Sequence, residues 1–241
     1  MNIVNKILKI LITVAIFVVL MLVFILLTSF ITSLIVGKDY LFYEHNQVAS
    51  LFLQIFIVFP PLIVTISLAT KFKLISSVSK AEKNEEIIYF WNRLGKFRLA
   101  VIAVYFIVLF CLISSVNVVY SDKIVTKSVF NLKGTEYSYE QVEEIKCGFG
   151  DSSFSVLNYK EKGSFYYQIK LSGKFITFYQ PTVNADNEIL ANNTYLELEQ
   201  FDVALVELNI NKISSENGVE YCSYDKEYVD RFLRIINNKR S

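Results

Sequence analysis

The side chains that ordinarily do chemistry are scarce in this sequence. It holds one histidine, His45, and three cysteines, Cys111, Cys147 and Cys222, in 241 residues. The common zinc sites need several Cys or His ligands at short spacings, and no such spacing is present, which excludes them. A site built from carboxylates alone has no motif to support it. Gly150-Asp151-Ser152-Ser153 has the make-up of a hydrolase serine block, but a serine hydroxyl is a weak nucleophile until a neighbouring base takes its proton. No histidine follows residue 45, so the block reads as a polar turn. Neither phosphate-cradling glycine pattern, GxxxxGK[ST] or GxGxxG, occurs. The expectation is a protein that is not an enzyme and needs no cofactor.

Other residues suggest binding or shape. Cys111 lies in an apolar run and reads as a small buried hydrophobe. Cys147 and Cys222 are a candidate disulfide if their domain faces an oxidising exterior. Pro60-Pro61, with Gln54 nearby, falls inside a long apolar run, where a missing N–H and a ring clash are expected to kink a helix. Tyr137, Tyr139 and Tyr166 lie on expected strands and are a candidate binding surface, since tyrosine supplies contact area at little entropic cost. Asn192-Asn193-Thr194 fits a glycosylation tripeptide, although helix capping by Thr194 is the preferred reading.

The elements that must position these residues divide the chain in half. Hydrophobic residues make up 53% of it and the mean hydropathy is +0.40, too apolar for an ordinary soluble protein. The apolarity is concentrated in three uncharged runs, which predict membrane helices over about 7–36, 48–70 and 99–120, each reaching the roughly 20 residues that a bilayer core requires. The first is too long for the core of a cleaved signal peptide. The stretches enclosed by Lys9 and Lys38, by His45 and Lys71, and by Arg98 and Asp122 contain no charged residue or histidine, which argues against a self-sufficient pump. Lys6, Lys9 and seven further Lys/Arg from Lys71 to Arg98 oppose Lys38, Lys123, Lys127 and Lys133. The positive-inside rule then puts the N-terminus in the cytoplasm of a multi-pass cell-membrane protein and the C-terminal domain outside. Within the loop, Ser79 to Lys96 mixes charges with Tyr89, Phe90 and Trp91 and reads as a surface helix leading into the third span.

The expected domains are therefore 1–120, transmembrane, and 121–241, soluble. Residues 121–241 carry 14 Lys/Arg and 18 Asp/Glu, a net of −4, which argues against a nucleic-acid partner. Short Val, Ile, Tyr and Phe runs predict about six strands: Lys123 to Phe130, Thr135 to Tyr139, Val142 to Phe149, Phe154 to Tyr159, Phe165 to Leu171 and Lys174 to Gln180. Asn131-Leu132-Lys133-Gly134, Glu161-Lys162-Gly163-Ser164 and Ser172-Gly173 read as hairpin turns. The period then changes: Leu198, Phe201, Leu205 and Leu208 predict a helix after Thr194, with Glu197, Glu199 and Asp202 near its positive end. Another helix is expected from Asp225 through Ile236. Sheet first and helices afterwards describe an α+β domain, an antiparallel meander with two helices behind it.

Asp122-Lys123-Ile124-Val125 followed by Tyr137-Ser138-Tyr139-Glu140-Gln141-Val142-Glu143-Glu144-Ile145 resembles the opening of bacterial pleckstrin-homology-like domains attached to membrane spans. It covers residues 121–180. Glu140-Gln141 departs from the family's acidic turn, and two helices follow where one is usual. The resemblance implies a PH-like binding scaffold without a catalytic site. Together with the residue reading it leads to a membrane-anchored binding or sensing protein whose partners are the lipid bilayer and a protein, peptide or envelope component. The alternative is an accessory or permease-like transport subunit working through the span that holds Pro60 and Pro61.

Overall fold

The computed structural model describes residues 3–71, 98–151, 161–179, 181–183 and 195–239. The chain forms two compact units: Met1–Thr32 with Leu51–Ile113, and Ser33–Ser50 with Ser114–Ser241.

The first unit is helical. Helix α1 (Ile3–Val36) contains no Gly or Pro and stops at Gly37, whose φ of +92° suits a residue without Cβ. Helix α2 (Gln47–Lys71) runs through Pro60 and Pro61, and α3 spans Arg98–Ser114. Ile7–Val36 and Gln47–Ala69 are long and apolar enough to cross a membrane, whereas α3 is a shorter apolar helix. Apolar side chains such as Leu22, Phe30, Phe52, Ile63 and Phe106 are exposed along these helices, as lipid-facing surfaces require.

The expected third helix over 99–120 is too long, because it stops at Ser114 and Val116–Val119 forms a strand. Val116, Val118 and Val119 are buried in the second unit, so hydropathy alone merged a core strand with the helix before it. The expected surface helix from Ser79 to Lys96 lies outside the described residues.

The second unit is α+β and assembles from two stretches of chain rather than from 121–241 alone. Its strands are β1 (Phe42–His45), β2 (Val116–Val119), β3 (Lys123–Ser128), β4 (Asn131–Ser138), β5 (Val142–Phe149), β6 (Phe165–Leu171), β7 (Lys174–Phe178), β8 (Thr182–Val183) and β9 (Asn211–Ser214). They form two sheets, ordered β4-β3-β2-β1-β8 and β7-β6-β5-β9. All the pairings are antiparallel except β5 with β9. The expected single meander is thus replaced by two sheets, and His45 is the last residue of β1, in the short segment between the first two helices. The expected strand Phe154 to Tyr159 lies outside the described residues.

Local chemistry explains the parts that matched. Along β6, Phe165, Tyr167, Ile169 and Leu171 are buried while Tyr166, Gln168 and Lys170 are half-exposed, the period-two pattern of a one-sided sheet. Ser172 and Gly173, with φ of +49° and +73°, make the two-residue turn into β7. Helices α4 (Leu196–Glu207) and α5 (Lys226–Asn237) pack against each other, and their apolar faces enter one core with both sheets. Phe201 of α4 is central, with its ring edge-on to Phe42, Tyr139 and Phe178. Phe232 of α5 stacks on Phe165 at 4.1 Å. Fully burying each such side chain contributes roughly 1.5–3 kcal/mol.

Candidate functional site

Among the described residues, β4 is the longest of the outer strands. It pairs with β3 on one side and is the outer strand of its sheet among the described strands. An outer strand presents a row of backbone N–H and C=O groups that an extended peptide can pair with. Six of the eight residues from Asn131 to Ser138 are exposed, which leaves Gly134 and Tyr137 half-buried. Gly134 has φ of +89°, and a Cβ there would lie 2.3 Å from the Val125 side chain, so this close approach requires glycine. Asn131 Oδ1 accepts from the Gly134 N–H at 3.1 Å, and Lys123 pairs with Glu136 at 2.9 Å. These contacts hold the strand in place.

The three candidate tyrosines do not form one exposed face. Tyr137 on β4 packs against the main core. Tyr139, in the 3₁₀ turn Tyr139–Gln141, is buried beside Phe201, and its hydroxyl donates to the Tyr120 carbonyl. That makes Tyr139 a core residue. Tyr166 lies on β6 opposite Gly148, in the other sheet.

The polar interior of this unit centres on a pair that the sequence reading missed. Lys212 Nζ on β9 donates to Asp202 Oδ1 at 2.5 Å and Oδ2 at 2.7 Å, and to the Ile235 carbonyl at 2.5 Å. The Asp202 carboxylate also accepts from the Tyr167 hydroxyl and the Asn238 amide, both at 2.8 Å. A buried charge persists only when paired and hydrogen-bonded, and here four elements supply the partners. Burial and the adjacent carboxylate push the Tyr167 hydroxyl well above the ordinary tyrosine range. Asp202 was assigned to the helix dipole by its position; its spacing from Leu198, Phe201 and Leu205 on the apolar face was the signal for burial. Glu197 on α4 is also buried, and burial raises its carboxyl against the pull of Arg231.

Cys147 and Cys222 are free thiols, so the candidate disulfide is not formed. Cys147 lies inside the core on β5, where burial pushes its thiol up to about 12. Cys222 follows the 3₁₀ turn Val219–Tyr221, beside Gly163. Cys111 is on α3. His45 is buried enough on β1 for desolvation to lower its pKa, against a hydrogen bond with the Ser115 backbone that raises it.

In the helical unit, Pro60 and Pro61 sit inside continuous helix. Pro60 has no N–H to offer the carbonyl four residues earlier, on Phe56. Tyr105 of α3 supplies the missing donor, its hydroxyl bonding the Phe56 carbonyl at 2.5 Å while the two rings stack at 5.4 Å. Gln54, also singled out near the prolines, is exposed on α2.

Among the described residues no three His, Cys, Asp or Glu side chains converge as a metal site would require. Ser152 and Ser153 lie outside those residues, as do Asn192, Asn193 and Thr194; the helix that Thr194 was expected to cap begins at Leu196 after Tyr195. No protein-family model, curated protein or solved structure matches the chain.

Proposed function

We propose that this chain is a membrane-anchored binding or sensing protein without catalytic activity, whose α+β unit recognises an extended segment of a membrane or envelope protein. The observation that carries this reading is β4: eight residues at the edge of a sheet, mostly exposed, with backbone hydrogen-bonding groups directed outward. The resemblance to PH-like domains agrees with it, since it too implies a binding scaffold.

The helices serve as the anchor. Chain order supports three crossings, because α1 leads into the α+β unit, α2 leads away from it after β1, and α3 returns to β2. The excess of basic residues before α1 and between α2 and α3 favours a cytoplasmic N-terminus and an extracytoplasmic α+β unit. The transport-subunit alternative draws on Pro60 and Pro61. The Tyr105 bond to the Phe56 carbonyl favours a fixed joint at that position over a gate.

A photo-crosslinking amino acid at Thr135 or Glu136, compared with one at Asp230 on α5, tests the proposal in native membranes. A discrete adduct from the β4 positions alone is the expected result. Equal labelling from all three positions, or none from β4, removes the reading. Leucine at Pro60 and Pro61 should leave the adduct intact, whereas a transport subunit working through α2 would lose its phenotype.

A further inference from the structure

The β3–β4 hairpin turns through Val129-Phe130, and Phe130 is 98% exposed, more than any other large apolar side chain among the described residues. Leu132 beside it is also exposed. One apolar residue on a surface is ordinary, so exposure alone identifies nothing. Register gives it a direction. Strand β2 follows α3 with only Ser115 between them, and Val116 pairs with Lys127. Since β3 runs antiparallel to β2, the chain beyond Lys127 continues past the first residue of β2. The tip therefore lies at the end of the sheet where the chain enters β2.

The same hairpin is tied to a second helix end. Lys127 Nζ donates to the Ile35 carbonyl at 2.5 Å and the Val36 carbonyl at 3.3 Å, which caps the last turn of α1 with a cation. That turn, Ser114 and the hairpin all belong to the α+β unit. The tip thus follows two chain segments back toward their apolar helices, and Lys127 and Lys133 flank it.

We propose that Val129, Phe130 and Leu132 form a membrane-inserting tip. They lie at the headgroup–acyl boundary of the leaflet from which α1 and α3 emerge, with Lys133 among anionic headgroups. The site rests on the membrane-anchored reading above.

Trp91 is the only tryptophan, so a Trp91→Phe background makes each added indole a single probe. Phe130→Trp and, separately, Leu22→Trp in α1 are reconstituted as full-length chains in phosphatidylcholine–phosphatidylglycerol vesicles. Some vesicles contain lipids brominated at shallow or deep acyl positions. The expected result is that the indole in the α1 variant loses most of its emission to deep bromines, while the indole in the hairpin variant is blue-shifted and loses most of its emission to shallow ones. A water-exposed, unquenched indole at the hairpin beside a quenched one in α1 overturns the tip and leaves the membrane-spanning reading intact. Loss of quenching at both positions overturns that reading and the tip with it. Phe130 packs on nothing that folding requires, so the substitution reports location rather than stability.

Discussion

The Tyr105 hydroxyl meets the Phe56 carbonyl, the group that Pro60 leaves without its helical donor. Tyr105→Phe keeps the ring stack and removes only the O–H. A carbonyl left unsatisfied in an apolar setting costs on the order of 1–2 kcal/mol. Pro60→Leu restores the backbone N–H, so Tyr105→Phe should become nearly neutral in that background. A double-mutant cycle by detergent-titrated unfolding measures the coupling, and additive effects would show that the tyrosine serves another purpose.

Lys212 and Asp202 should behave as one unit. Lys212→Met strands a buried carboxylate and is expected to cost about 3–5 kcal/mol. Pairing it with Asp202→Leu removes both charges, and the double variant should recover a large part of that loss. Urea unfolding followed by near-UV circular dichroism checks this. A double variant no better than Lys212→Met would mean that Tyr167 and Asn238 hold the site instead.

His45 makes stability depend on pH. Its pKa in the folded chain lies below the ordinary value of 6.5, so the unfolded chain binds the proton more readily. The contribution of neutral His45 is complete above the unfolded value and is lost as pH falls below it. Glu197 acts in the opposite sense nearer the carboxylate range, because its raised carboxyl takes up a proton in the folded chain. Thermal unfolding between about pH 7.5 and 5.5 should therefore show a decline that His45→Gln abolishes. An unchanged slope in the variant would assign the decline elsewhere.

The thiols should separate by rate. In a Cys111→Ser chain, the half-exposed Cys222 is expected to react with maleimide in the folded state, and the buried Cys147 only after denaturation. Prior reduction should change neither, since both are free. With an impermeant reagent on intact cells, labelling of Cys222 supports the extracytoplasmic orientation, and labelling only after permeabilisation reverses it.

The sequence exposed those elements whose pattern is local. Helix α1 was visible because no charged residue interrupts it from Ile10 to Val36, and β5 and β6 had the expected boundaries because turn residues mark their ends. Strand β2 was hidden because Val116–Val119 is as apolar as α3, with one serine between them. Strand β1 carries Glu44 and His45 on four residues between two helices, and therefore read as a loop. Strand β9 has one strongly apolar residue, Ile213, and owes its place to parallel pairing with distant β5. The candidate site was legible only in part. Tyr137 lies on β4, but what makes β4 a candidate is its position at a sheet edge, and position depends on pairing that no local pattern reveals. Tyr105 became meaningful only when α2 and α3 were seen together.

Strand β1 lies between β2 and β8 in its sheet, yet its partner β2 is synthesised only after α2, the following loop and α3. At roughly 5–20 residues per second, Phe42 waits several seconds before Val119 exists to pair with it. The sheet therefore closes only after the helix Arg98–Ser114 has been made and has led the chain into β2. On the proposed three-crossing topology, a chain whose α2 or α3 failed to insert would strand the two halves of the sheet on opposite faces of the bilayer, leaving β1 and β2 as unpaired edges for proteolysis to find. On the proposed anchoring, completion of this sheet would report that both helices had inserted.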